Sequence, residues 1–355
     1  MTSTAPQPAR LSDSVTGSYT AVAREARRLG LHRRGHTFYA YLFFGLVSAL
    51  GAAVAGLLLL GDSWLQLIVA GILGVVLTQL AFLAHEASHR QVLTSGPAND
   101  RAGWTLSVVL VGISYSWWMN KHTRHHAHPN QVDRDPDVAA GILCFVPADA
   151  ASRRGAWSWL TARQGLWFFP LLLLEGLNLH VKSVQHLWVN RRTPGQRLEL
   201  IALMTRLLGY LAGVFWLLPP SLGLAFIGIQ LGVFGVYLGA SFAPNHIAMP
   251  IIARNEKLDF FTRQVRTSRN VAGGWWATAL MGGLNYQIEH HLFPSMPRPH
   301  LAAARRLVRQ HCQTLNVTYT ETSLIAAWAI VTQHLNRVGL TAVDPFRCPT
   351  ADQLR

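Results

Sequence analysis

Residues 64–89 read WLQLIVAGILGVVLTQLAFLAHEASH. An uncharged apolar run from Trp64 to Ala84 ends directly in His85 and His89, with Glu86 between them. About 20 residues of α-helix cross the roughly 30 Å hydrocarbon core of a bilayer. The stretch therefore carries a histidine pair to the edge of a membrane. On a helix that continues past Ala84, positions four apart share a face, so both imidazoles can meet one centre.

Working outward, the run from Phe38 to Leu60 is also uncharged, and only Gly61, Asp62 and Ser63 separate it from Trp64. Two spans so joined must form an antiparallel hairpin. A second hairpin is expected from Leu200 to Leu218 and from Leu222 to Ala243, turning at Pro219 and Pro220. Arg206, near the start of its span, can snorkel to the interface. Trp104 to Trp118 and Leu166 to Leu179 are shorter or interrupted, and their tryptophans and Arg163 suit helices lying in the interface or dipping partly into it. Four spans are the expectation and six the alternative. With 50% hydrophobic and 14% charged residues over 355 positions, the composition excludes an ordinary soluble enzyme.

The expected fold class is an all-α integral membrane protein, with four transmembrane helices in two hairpins and a helical cytoplasmic cap holding the histidines. The expected organisation is a cytoplasmic N-terminal segment over 1–36, a membrane domain over 37–300 and a cytoplasmic helical tail over 301–355. The polar first 18 residues read as disordered, and the first 36 lack the apolar core and cleavage site of a signal peptide.

Lys and Arg number 31 against 17 acidic residues. Arg10, Arg24, Arg27, Arg28, Arg33 and Arg34 precede the first span, and neither hairpin turn carries a basic residue. The positive-inside rule then makes the N-terminus, residues 85–199 and the tail after Ala243 cytoplasmic, in a multi-pass protein of the plasma membrane. Every histidine cluster falls on that side. The same rule accounts for the net charge of +14. Nucleic acid is excluded as a partner, because no stacking or groove-reading module is present. An acidic electron carrier or the phosphates of a thioester remain partners that a basic face suits. Cys144, Cys312 and Cys348 have no CxxC spacing and indicate neither a disulfide framework nor an iron–sulfur cluster.

Two further clusters follow, HTRHH at 122–126 and QIEHH at 287–291. His122 lies one helical turn from both His125 and His126, so the three can bridge toward two metals. His128 stands just before Pro129, where the helix should end, and falls outside the ligand set. Asp133, Asp135 and Asp137 are candidates for holding imidazole N–H groups. His246, directly after the fourth span, shares the depth of the clusters. His32, His36, His180, His186, His300, His311 and His334 have no such company and read as structural or solvated.

A single zinc is satisfied by three or four protein ligands, so seven or eight imidazoles fit two metals better. Donor type alone suits iron, zinc or copper. A two-metal site beside lipid points to redox metals that activate O₂ against an unreactive C–H bond. HEASH also matches the HExxH zinc-protease pattern with Glu86 as base, but that reading leaves HTRHH and QIEHH without a purpose. A metal transporter would set histidines along its spans, and three of the four contain none.

HEASH, HTRHH and QIEHH, in this order and separated by these hairpins, resemble the histidine boxes of the membrane-bound fatty acyl desaturases over about residues 37–300. The resemblance implies a di-iron enzyme that uses O₂ and two electrons to place a cis double bond in an acyl chain; among coenzyme A, a carrier protein and a membrane lipid as the acyl carrier, the basic cytoplasmic surface favours coenzyme A. It implies metal ligation by His85, His89, His122, His125, His126, His290 and His291, and His246 resembles the additional ligand near the end of the fourth span. No catalytic residue beyond the metal centre is implied.

Gln287 departs from the commonest pattern, in which a histidine stands there. A glutamine is typical of the front-end branch and its bacterial relatives, and its carbonyl oxygen suits a weak or water-mediated ligand. No HPGG motif of a fused cytochrome b5 is present, so the electrons are expected from a separate ferredoxin or flavin reductase. A hydroxylase or ketolase using the same site is the alternative. Gly223, Gly228, Gly232, Gly235 and Gly239 read as helix-packing positions. Trp117, Trp118, Trp275 and Trp276 suit either a channel entrance or interfacial anchoring.

Overall fold

The computed structural model describes residues 11–341, so Arg10 and Cys348 lie outside it. Helix α1 (Leu11–Arg28) begins inside the segment read as disordered. The four expected spans are α2 (His36–Leu59), α3 (Gln66–Ser88), α10 (Gln196–Leu217) and α11 (Pro220–His246). Between the hairpins run α4 (Gly96–Trp104), a π-helix (Thr105–Val111), α5 (Tyr115–Ala127), α6 (Pro147–Ala151), α7 (Ala156–Ala162), α8 (Gln164–Leu172) and α9 (Glu175–Val189). After α11 come α12 (Phe260–Arg266), α13 (Gly274–Leu280), α14 (Gln287–Leu292), α15 (Arg298–Leu315) and α16 (Leu324–Thr341). Among the described residues the only sheet is a parallel pair of three-residue strands, β1 (Asn270–Ala272) and β2 (Glu321–Ser323). The chain is an all-α membrane protein.

The spans are not equivalent. In α2 only Tyr39 and Ala53 are buried, whereas α3 buries most of its length. This is the contrast between a lipid-facing helix and a core one. Helix α3 packs along α11, and their backbones approach so closely at Gly74 that an added methyl would lie 2.8 Å from the Gln230 carbonyl oxygen. Gly235 does the same for α11 against α8 and α9, where a methyl would stand 2.3 Å from the Leu172 oxygen and 2.6 Å from the Gly176 nitrogen. Phe82, Leu80, Phe226 and Phe234 fill the resulting core without exposure. This gives α3 and α11 fixed C-terminal ends, and both of those ends carry histidines.

Within Trp104 to Trp118, Leu106, Val108 and Val111 are buried, and the π-helix packs against α3 and α10. It stops at Gly112, whose φ of 91° a side chain would resist. Arg206 donates from Nε and Nη2 to the Leu110 carbonyl oxygen at 3.2 and 3.1 Å, satisfying an acceptor at the end of the π-helix.

Helix α5 is anchored at its start. Ser114 accepts from the Trp117 amide at 3.1 Å and donates to Glu199 of α10 at 2.6 Å. Beyond residue 300, α15 packs on α1 and α14, and α16 on α8 and α11. These helices complete a cap over the C-terminal ends of α3 and α11.

Candidate metal centre

Helix α3 delivers His85 in its last turn and His89 as its C-cap, while α5 delivers His122, His125 and His126. His246 closes α11, and the short α14 presents His290 and His291. All eight imidazoles converge, but into two groups. The ligating nitrogens of His85, His89, His122, His126 and His290 lie within 4.8 Å of one another, and so do those of His125, His246 and His291. Each adjacent pair of histidines is split between the groups, because successive side chains on a helix point about 100° apart. The groups touch where the rings of His126 and His291 stack, 4.2 Å between centroids.

Three of the rings are oriented from outside. His125 Nδ1 meets both oxygens of Asp135 at 3.0 and 3.1 Å. His246 Nδ1 donates to the Thr267 carbonyl at 2.9 Å, and His291 Nδ1 donates to Gln264 Oε1 at 2.9 Å. Each bond puts the proton on Nδ1 and leaves the Nε2 lone pair facing the group, the tautomer a metal ligand requires.

The groups fit cations. His85 Nε2 and His122 Nε2 stand 3.0 Å apart, and His89 Nε2 and His122 Nε2 2.7 Å apart. His126 Nε2, His290 Nε2 and His291 Nε2 are buried without any partner. Buried polar atoms in folded proteins are mostly paired, and orphaned imidazole nitrogens gathered in this way, His126 and His290 in one group and His291 in the other, fit cations. Burial keeps the rings neutral, as ligation needs. His89 is held down at about 3 by burial, and His122, His126, His290 and His291 well below the usual range by burial and by one another. For His125 burial acts downward, but the Asp135 hydrogen bond and charge outweigh it and the direction is up.

Among the aspartates, Asp135 is buried against His125, Asp137 lies 3.3 Å from the same Nδ1 and pairs with Lys121, and Asp133 turns outward to Arg254. The Gln287 amide nitrogen faces His246 Nε2 at 2.8 Å, while its carbonyl oxygen accepts from Asn245 at 3.2 Å. Glu86 points away from both groups. Tyr39 donates to it at 3.1 Å and Arg298 Nε at 2.8 Å, with a second Arg298 contact completing a buried fork. A base so bound cannot activate water at the histidines, which removes the zinc-protease reading.

A cavity of about 220 Å³ runs along the centre. Its wall contains His85, His122, His125, His246 and His290 together with Phe145, Leu179, Leu238, Phe242 and Leu284. Lys121, Asp137, Glu175 and His334 add charged and polar groups to the lining. A smaller apolar pocket shares His85, Trp118, Leu179, Leu238 and Phe242 with it and continues to Phe82, Val111 and Ile113. Trp118 stacks on His122 at 4.7 Å. Trp275 and Trp276 are exposed and line neither space. Sequence patterns did not disclose Gln264, Thr267, Lys121 or Arg298, which belong to no spaced motif.

Four spans and a buried multi-histidine site define a multi-pass membrane metalloprotein. The family model "Fatty acid desaturase" matches residues 62–323, and the chain belongs to this iron-dependent family of lipid-metabolising oxidoreductases. It is 27% identical over 354 residues to a Delta(8)-fatty-acid desaturase of Helianthus annuus, covering 93% of this chain and 75% of that protein. It is 29% identical over 313 residues to a Delta(6)-fatty-acid desaturase of Caenorhabditis elegans, covering 84% and 70%. With an acyl-lipid (8-3)-desaturase of Rebecca salina it shares 31% over 269 residues, covering 73% and 60%.

Proposed function

We propose that this chain places a double bond in a fatty acyl chain at a two-iron centre. His85, His89, His122, His126 and His290 would hold one ion, and His125, His246 and His291 the other, with Gln287 beside His246. The observation that carries the reading is the division of eight imidazoles into two touching groups along one apolar cavity. When bound, iron supplies O₂ activation strong enough to take hydrogen from an unactivated methylene. In sum, two adjacent methylenes lose two hydrogens, and these, with O₂, two electrons and two protons, give two waters.

The chain's own residues supply placement and dryness. Leu179, Leu238, Phe242 and Leu284 line the same cavity as the histidines, so a hydrocarbon held there is brought beside the site. Asp135, Thr267 and Gln264 hold three rings in the ligating tautomer. No protein base is required for C–H abstraction, in keeping with the engagement of Glu86 by Arg298.

The basic surface supports coenzyme A thioesters as the acyl carrier, and a separate ferredoxin or flavin reductase as electron donor. The arginines before α2 support a plasma-membrane orientation with the centre and both termini in the cytoplasm. The test is expression in a host lacking desaturases, with an electron donor supplied and His126→Ala as control. New double bonds, two hydrogens lighter than the parent chain, are expected only with the wild type. A product one oxygen heavier would instead make the chain a hydroxylase, and unchanged lipids would overturn the reading.

A further inference from the structure

On the two-iron reading, electrons must reach the histidines from outside. Helix α12 has a buried side, with Phe261, Gln264 and Val265, and an exposed one, with Phe260 and Arg266. Gln264 on its inner side donates to the His126 backbone carbonyl at 3.0 Å and accepts from His291 Nδ1 at 2.9 Å, so one side chain holds the His291 ring and the backbone of the residue whose ring stacks on it. Its neighbour Arg263 donates to the Ala127 carbonyl at 3.1 Å and meets His128 Nδ1 at 3.0 Å, which seats α12 on the end of α5. Arg266 and Phe260 of the same helix are exposed, Phe260 by 44%.

The surrounding loops extend this face. Gln131 bonds the carbonyls of Ala253, Arg254 and Glu256, tying the loop that carries Arg134 to the one that carries Lys257. Arg124 lies one turn before the end of α5. Among the described residues, Arg124, Arg134, Lys257 and Arg266 are exposed and form no ion pair with a carboxylate. Of the acids nearby, Asp133 pairs with Arg254, Asp259 caps α12 by accepting from the Thr262 amide at 3.0 Å, and the exposed Glu256 accepts from the Ala253 amide at 3.4 Å, which leaves the basic residues in excess. A partly exposed aromatic rimmed by unpaired arginines is the composition of a protein-docking patch. Excess positive charge selects an acidic partner and speeds its encounter.

We propose that a small acidic one-electron carrier protein docks on this face, over Phe260, Arg266, Arg134, Lys257 and Arg124, and delivers electrons at the His126–His291 edge of the centre. The inference rests on the two-iron reading for its purpose. Each double bond then oxidises two carrier molecules by one electron each, and the two electrons enter the balance given above.

The test measures binding separately from turnover. The full chain in nanodiscs, iron-free and iron-loaded, is titrated with two probes, an acidic [2Fe–2S] ferredoxin and a soluble cytochrome b5. At least one should bind the wild type, with affinity falling steeply as salt is raised. Arg134→Glu with Arg266→Glu should weaken that binding by about tenfold or more, and a probe with carboxylates changed to lysine should restore it. Phe260→Ala gives a second, uncharged reading of the same patch. Arg191→Glu with Arg192→Glu, exposed at the end of α9, should leave binding unchanged. Absence of binding by both probes, or equal loss in the α9 control, overturns the docking face. If binding behaves as expected while the loaded wild type makes no double bond, the docking face stands and the desaturase reading falls.

Discussion

His125, His246 and His291 each donate Nδ1–H to a fixed oxygen, whereas His85, His89, His122, His126 and His290 have no such outer partner among the described residues. The five are placed by helix register. His85 and His89 sit one turn apart at the end of α3, and His122 and His126 one turn apart on α5. The three come from three different elements with no shared register, and hydrogen bonds supply what the backbone does not. One half of the centre is therefore governed by how helices are seated, and the other by the side chains and carbonyls around it.

The sharpest way to break this comparison uses neighbours. His290→Ala and His291→Ala should each abolish desaturation, but each should remove a different ion, leaving about half the iron. If metal analysis shows both variants losing all iron alike, the two halves are one cooperative unit.

The next effect falls on helix seating. Arg298→Ala leaves Glu86 as an uncompensated buried charge at the end of α3 and should cost about 3–5 kcal/mol of stability. Melting in detergent, compared with the paired Glu86→Gln/Arg298→Met variant, reads it, and the double change should recover much of the loss. A smaller effect is expected on the other half. Asp135→Asn keeps one oxygen, enough for the Asn130 or the Asp137 amide but not for both, and removes the charge facing His125. Iron affinity of the three-histidine group should fall about 10–100-fold, with the five-histidine group unchanged, as stepwise chelation would resolve. The smallest is Ser114→Ala, which removes the cap of α5 at a cost of about 1 kcal/mol. A matching fall in iron retention by the five-histidine group would tie that group to α5.

The spans and the convergence of the histidine clusters were legible because hydrophobic length and i, i+4 spacing are local properties. Their division was not, since His125 and His126 read as one motif and only a folded helix shows them parting. The outer partners were hidden for another reason. Gln264 acts from α12 and Thr267 through a carbonyl that any residue possesses, so neither carries a spacing signature. The π-helix escaped because its buried apolar residues resemble an interfacial stretch until α3 and α10 are packed against it.

The two HH pairs have a mechanical consequence. Since His125 parts from His126, and His290 from His291, each pair gives one ring to either side. The gap between the sides is thus gauged twice, on α5 and on α14, by a single residue step whose size covalent geometry sets. Breathing of the bundle can shift the centre as a whole, yet it has little leverage to stretch it.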